Sequence, residues 1–197
     1  MSERSLHIKI PLERIGVLIG HEGRVKEILE KKLGVKIGVD SVTGDVELAS
    51  SEADPSILFR ARDMVHAIGR GFSPEKAFKL LNEDLNLYII DLQEFFTAPS
   101  NIQRVKSRVI GKGGKTRLII EEETTTSISV YGHTVSIIGD MEHIDVAREA
   151  VEMLIKGSLH HSVYRFLNAR RSELKKIEME IWKPAPDILK KERKKRV

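Results

Sequence analysis

Two pairs of glycines, Gly20-His21-Glu22-Gly23 and Gly111-Lys112-Gly113-Gly114, carry the clearest chemical signal in this chain. A Gly-x-x-Gly turn has little side chain, so the backbone of another polymer can approach its amides closely. An apolar residue precedes each pair (Ile19, Ile110) and a basic one follows (Arg24, Lys115). That combination suits an extended anion such as a phosphodiester chain. The loops stand 91 positions apart, Gly20 to Gly111, and the same offset matches Ile28 with Ile119, Ile37 with Ile128, Val39 with Val130 and Val46 with Ile137. An apolar pattern that survives ~30 positions without a gap marks a duplicated domain.

Rival chemistries fit poorly. A nucleotide-hydrolysing P-loop needs a glycine where Val109 stands, and a dinucleotide fingerprint needs one at Thr116. The chain has no cysteine, which removes disulfides, thiolate metal sites and a thiol nucleophile together. His160 and His161 are adjacent, so on a helix they diverge by about 100° and share an ion badly. Glu121-Glu122-Glu123 reads as a solvated helix face, and no carboxylate pair stands beside a plausible nucleophile. No enzyme, metal or cofactor is expected. Aromatic residues are 5% of the chain and none flanks the loops, so binding through stacked bases is not expected; Tyr131 and Tyr164 are the nearest.

The formal net charge is +4 and the composition is 31% charged. Its distribution is more telling. From Asn101 to Leu118 there are six basic residues (Arg104, Lys106, Arg108, Lys112, Lys115, Arg117) and no acid. The matching stretch of the first copy sets Arg14, Arg24 and Lys26 against Glu13, Glu22 and Glu27. A carboxylate in the first loop repels a phosphate at close range, where screening is weakest. In mildly acid solution His21 could offset it in part. The second copy is therefore expected to grip a polyanion, and the first to bind weakly or serve protein contacts.

The elements that must position the loops follow from periodicity. Leu6–Ile10 alternates as a strand, and Pro11 opens a helix reaching Ile19. Val25, Ile28, Leu29 and Leu33 recur at helical spacing before a Gly34 cap. Val35–Val39 and Val46–Leu48 make a hairpin, and Asp54-Pro55 starts a third helix. The second copy repeats the order from Leu87 to Gly157, with Asp140 capping its last helix. A short helix from Ser73 links the copies, and an amphipathic helix from His160 to about Ile181 follows them. The expected division is residues 1–84, the first domain with the linking helix; 85–182, the second with the C-terminal helix; and 183–197, a flexible basic tail. No signal peptide or membrane-length apolar run is read, so a soluble, cytoplasmic protein is expected.

A doubled Ile-Gly-x-x-Gly-basic loop in a strand–helix–helix–strand–strand–helix order resembles the KH domain of RNA-binding proteins, in its eukaryotic-type (type I) form. The resemblance covers roughly residues 6–71 and 86–157. It implies an α+β fold of two tandem domains, each a three-stranded antiparallel sheet with three helices on one face. It also implies a groove for about four single-stranded nucleotides. On the second copy it would place Ile110, Gly111, Lys112, Gly113, Gly114 and Lys115 on the RNA backbone, with Arg104, Lys106, Arg108 and Arg117 as a surrounding field. Val109 and Leu118 would line the groove floor, and Ile128 and Val130 would offer backbone hydrogen bonds to bases. The first copy would supply a weaker site from Ile19, Gly20, His21, Glu22, Gly23 and Arg24. More narrowly, the tandem copies, the linker and the basic C-terminus look like archaeal relatives of the Pno/Dim/Krr group, which assists small-subunit ribosome maturation near the rRNA 3′ end. That likeness implies an rRNA-processing endonuclease and an rRNA dimethylase as partners. A KH accessory subunit of another RNA machine and a protein-interaction scaffold are the alternatives.

Overall fold

Each apolar alternation closes into one of two three-stranded antiparallel sheets in the computed structural model, which describes residues 4–50 and 54–181. In the first copy β1 (Arg4–Lys9), β2 (Lys36–Val39) and β3 (Asp45–Ser50) lie in the order β1-β3-β2. In the second, β4 (Asn86–Asp91), β5 (Ser127–Tyr131) and β6 (Thr134–Gly139) lie in the order β4-β6-β5. Helices α1 (Leu12–Ile19), α2 (Arg24–Leu33) and α3 (Pro55–Gly69) cover one face of the first sheet. They bury Ile15, Leu18, Leu29 and Met64 against Ile8, Ile37, Val46 and Leu48. Helices α5 (Pro99–Ile110), α6 (Lys115–Thr124) and α7 (Met141–Ile155) do the same for the second. Both third helices start on the aspartates read from sequence. Asp54 accepts the Ser56 N–H at 2.8 Å and Asp140 the His143 N–H at 3.0 Å.

The ungapped 91-residue match fails beyond the hairpin turn. Ile37 pairs with Leu48, and its counterpart Ile128 pairs with Ile137, so Leu48 is the structural equivalent of Ile137. Val46 corresponds instead to Val135, since these face Val39 and Val130. The second hairpin turns through Gly132-His133 alone, two residues shorter than the first. A slip of two preserves strand alternation, so the apolar pattern could not expose it.

The two sheets differ on their far faces. Ser5, His7, Lys9, Asp45 and Glu47 leave the first exposed. On the second, Ser127, Ser129, Thr134, Ser136 and Ile138 are all buried. The cover is the first copy itself. Helix α3 touches β1 and β3 on one side and β4 on the other, and Ile138 belongs to the first copy's core. The linker, α4 (Pro74–Ala77) with a following 3-10 turn (Phe78–Leu81), completes the cover. Gly71, at φ 94°, permits its closest approach, for a Cβ there would lie 2.8 Å from both Ser129 Oγ and Tyr131 Cβ. Helix α8 (His160–Ile181) adds Val163 and Leu167 to the second core.

Helix α2 ends on Gly34 at φ 65°, whereas α6 ends on Thr125 at φ 52°. A β-branched residue in the left-handed region costs about 1–2 kcal/mol, partly offset by the greater unfolded-state freedom of glycine. Replacing Thr125 with glycine is expected to stabilise the protein by about 0.5–1 kcal/mol and raise the thermal midpoint by a few degrees. Calorimetry of Thr125→Gly checks this; an unchanged or lower midpoint would contradict it.

Candidate nucleic-acid interface

The two loops share one backbone shape. Gly20 and Gly111 have φ/ψ of 75°/175° and 74°/175°, Glu22 and Gly113 have 54°/26° and 60°/23°, and Gly23 and Gly114 have 78°/5° and 81°/4°. Three left-handed residues reverse the chain so that α6 starts with its amides facing outward. The glycines have different duties. A Cβ on Gly111 would lie 2.2 Å from Thr116 Oγ1, and on Gly20 2.4 Å from Val25 Cγ2, so the first glycine is required by packing. Nothing lies within 4 Å of a Cβ at Gly23, Gly113 or Gly114, which leaves that side of the loop open to a ligand.

Charge separates the copies. Glu22 pairs with Arg24 at 3.0 Å on the exposed first loop, and His21 Nδ1 lies 3.7 Å from the same carboxylate. The basic residue that follows the first loop is therefore already occupied. Lys112 and Lys115 are exposed and make no hydrogen bond or ion pair among the described residues, and the same holds for Arg104 and, half-buried, for Lys106.

Four expected site residues do other work. Arg108 donates from Nε to Leu154 O at 3.3 Å and from Nη2 to Ser158 O, bracing the chain where α7 ends. Its donors are therefore committed to carbonyls, while its positive charge stays beside the loop. Arg14 treats the end of α3 alike, donating to Ile68 O and Phe72 O. Val109 is fully buried in the second core, because Val105 and Val109, four apart, form the inward stripe of α5; it is no groove floor. Ile128 is buried too, and its N–H is engaged, donating to Glu121 Oε1 at 2.7 Å. Arg117 lies within 3.9 Å of the same carboxylate, so its charge is partly met. Leu118 is 46% exposed, as a groove-side residue can be. Val130 stands two residues along β5 from Ile128 and so turns its peptide group to the same free edge.

Glu121, expected on a solvated helix face, is instead a structural carboxylate. Its side chain is 11% exposed and also holds Lys76 of the linker at 3.1 Å. Glu30 receives Ile37 N–H at 2.8 Å in the first copy, so the 91-residue offset could have revealed the pair. Glu123 likewise is not free, since Arg171 of α8 pairs with it at 3.1 Å. Tyr131, at the end of β5, donates its hydroxyl to Glu13 while Arg14 lies 5.7 Å from its ring centre. Burial, then the Glu13 hydrogen bond, pushes that phenol above its ordinary pKa and keeps it a donor.

Comparison with known proteins agrees with this geometry. Residues 86–172 match the model of the second Pno1 domain, described as a eukaryotic-type KH domain (type I), and residues 11–83 match the first KH domain of Krr1. A KH domain-containing protein of Methanocaldococcus jannaschii is 44% identical over 94% of this chain and 83% of its own. The chain belongs to the tandem-KH family of Pno/Dim/Krr ribosome-biogenesis factors. The RNA-binding protein pno1 of Dictyostelium discoideum is 32% identical over 87% of this chain and 74% of its own. Among solved structures, Dim2p of Pyrococcus horikoshii superposes with a TM-score of 0.79 at 49% identity, covering 84% of this chain and 99% of that one. The same organism's aDim2p in complex with a/eIF2alpha and rRNA gives 0.82 at 47% identity, covering 87% and 96%. As a family member the chain has the expected α+β fold of two type I KH domains. Among the described residues no helix is long and apolar enough to cross a membrane, and no cluster of ligating side chains could hold a metal.

The glycine duties can be separated by stability. Gly111→Ala adds a steric clash to a left-handed backbone and is expected to cost about 3 kcal/mol or more, whereas Gly113→Ala meets only the backbone penalty of about 1 kcal/mol. Denaturant unfolding of both variants checks this; equal losses would contradict the division.

Proposed function

We propose that this protein binds single-stranded small-subunit rRNA, near its 3′ end, through the second KH copy, as a non-catalytic factor in ribosome biogenesis. The observation that carries the reading is the open second loop with Lys112 and Lys115 unpaired, against a first loop of the same shape whose Arg24 is held by Glu22. RNA backbone would run over the amides from Gly111 to Lys115, with bases turned toward β5 and Val130. Glu121 occupies the Ile128 amide, so base reading is concentrated on the loop-proximal half of the groove.

The relatives support the biological setting. The Saccharomyces cerevisiae protein PNO1 is named a pre-rRNA-processing protein, and aDim2p of Pyrococcus horikoshii was solved with rRNA and a/eIF2alpha. By that likeness, a translation-factor α subunit joins the endonuclease and the dimethylase as partners to be sought. The first copy takes a structural and protein-contact role. Tyr131–Glu13, Ser129–Arg70 and Lys76–Glu121 tie it to the wall of the second groove.

The test is binding of a short single strand with the small-subunit 3′-terminal sequence. The double variant Lys112→Asp/Gly113→Asp is expected to lose at least about tenfold in affinity, since each good phosphate contact also sets a salt slope of about −0.7. Glu22→Lys is expected to leave affinity equal or stronger. Unchanged binding by the double variant would remove the second loop as the RNA clamp and favour the scaffold reading.

A further inference from the structure

Behind the second loop lies a cleft that the groove does not use. It is enclosed by α5, the loop and the first turns of α8, with a volume of about 650 Å³, and is lined by Arg104, Ser107, Lys112, Lys115, His160 and Tyr164 among others. The groove runs between α6 and β5, where Glu121 reaches Ile128; α8 packs instead on α6 and α7, and Arg171 meets Glu123. The cleft and the groove therefore flank the loop from two sides and share its lysines. We propose that this cleft is a second phosphate subsite, through which α8 and α5 hold RNA continuing beyond the nucleotides in the groove. The inference rests on the proposed RNA binding and adds to it a length of ligand and a role for the C-terminal helix.

The cleft is built of fixed polar groups beside cations. Tyr164 Oη and Thr116 Oγ1 lie 3.0 Å apart and pin α8 to the start of α6. The Arg108 carbonyl can only accept, so His160 Nε2, 3.0 Å away, must donate to it. That bond fixes the ring and leaves Nδ1 as its remaining polar atom. Arg108 commits its donors to the end of α7, so the cations whose donors face the cleft free are Arg104, Lys112 and Lys115, none paired among the described residues. No acid occurs along α5, the loop or α6 before Glu121, and none along α8 before Glu173. Arg104 stands six residues, about 9 Å of helix rise, before the end of α5 at Ile110, so it extends the cationic surface away from the loop rather than crowding its lysines. The first copy differs here, with acids at Glu13 and Glu22 and, among the described residues, only the four-residue α4 and a 3-10 turn after its third helix.

The experiment compares a tetranucleotide with an octanucleotide carrying the same tetranucleotide at its centre, by fluorescence anisotropy on the full chain. Wild type is expected to bind the octanucleotide about tenfold more tightly. Arg104→Ala should cut that ratio to about twofold and reduce the octanucleotide salt slope by about 0.7–1, while Arg104→Lys restores most of both. A ratio in Arg104→Ala equal to that of wild type overturns the subsite. So does an equal loss for both lengths, which would place Arg104 at the loop itself. If wild type binds neither length, the RNA-binding reading falls and takes the subsite with it. Loss of tetranucleotide binding in Lys112→Asp/Gly113→Asp shows separately that the parent reading holds.

Discussion

The far face of the second sheet must be covered, and the way it is covered sets most of the architecture. A three-stranded sheet with helices on one side has another side to dispose of. The first copy leaves its far face polar and wet; the second lays its own on the first copy's helical layer. Helix α3 is thereby buried on two sides. Its small residues Ala61, Ala67 and Gly69 keep it slim where the layers close, and a Cβ on Gly69 would come within 2.8 Å of Ile10. Gly71 then lets the linker press against β5. The two KH copies are consequently not beads on a string. One is the foundation on which the other's groove wall stands.

That arrangement sorts the charges. Formal net charge is small, and much of the cationic surface is already spoken for: Arg14 and Arg108 finish helix ends, Arg24 answers Glu22, and Arg170 and Arg171 bind acids on α7 and α6. The exposed ion pairs among these contribute little stability, but they cancel the field a phosphate would feel. Among the described residues of the second copy, the unpaired cations Arg104, Lys106, Lys112 and Lys115 all fall on α5 and the loop, with Arg165 of α8 besides. Local surplus after internal pairing is the better guide to where a polyanion settles.

The fold was legible because its signals are local. Alternation, helix caps at Asp54 and Asp140, and the doubled glycine loop each reflect neighbours along the chain. The parts that were not legible depend on partners far away. Ser127, Ser129 and Ser136 alternate with apolar residues as a solvent face would, yet they lie under the first copy. Arg108 sits in an acid-free stretch and looks free until Leu154 and Ser158, 46 and 50 residues on, are seen to receive it. Likeness to the family points Val109 to the groove, although its spacing from Val105 places it inward. Glu121 was hidden by its neighbours in an acidic run; only its offset from Glu30 distinguished it.

The first loop shows which part of the glycine motif belongs to folding and which to binding. Its backbone follows the second loop within a few degrees, although Glu22 holds a left-handed conformation at a cost of order 1 kcal/mol. The shape persists because α1 must turn sharply onto α2, with Gly20 against Val25, whether or not anything binds outside. The two middle residues lie outside both helices, and a Cβ at the second of them, Gly113, meets nothing within 4 Å, so their side chains can vary more freely than Gly20 or Gly111. In the second copy they are Lys112 and Gly113, a cation and an absent side chain; in the first they are His21 and Glu22, a side chain at each position and a negative charge. The glycines thus report a helix–turn–helix corner, and the residues between them report whether that corner can accept a phosphate. At these two positions the copies have parted in charge and bulk, while the corner that holds them has kept one shape.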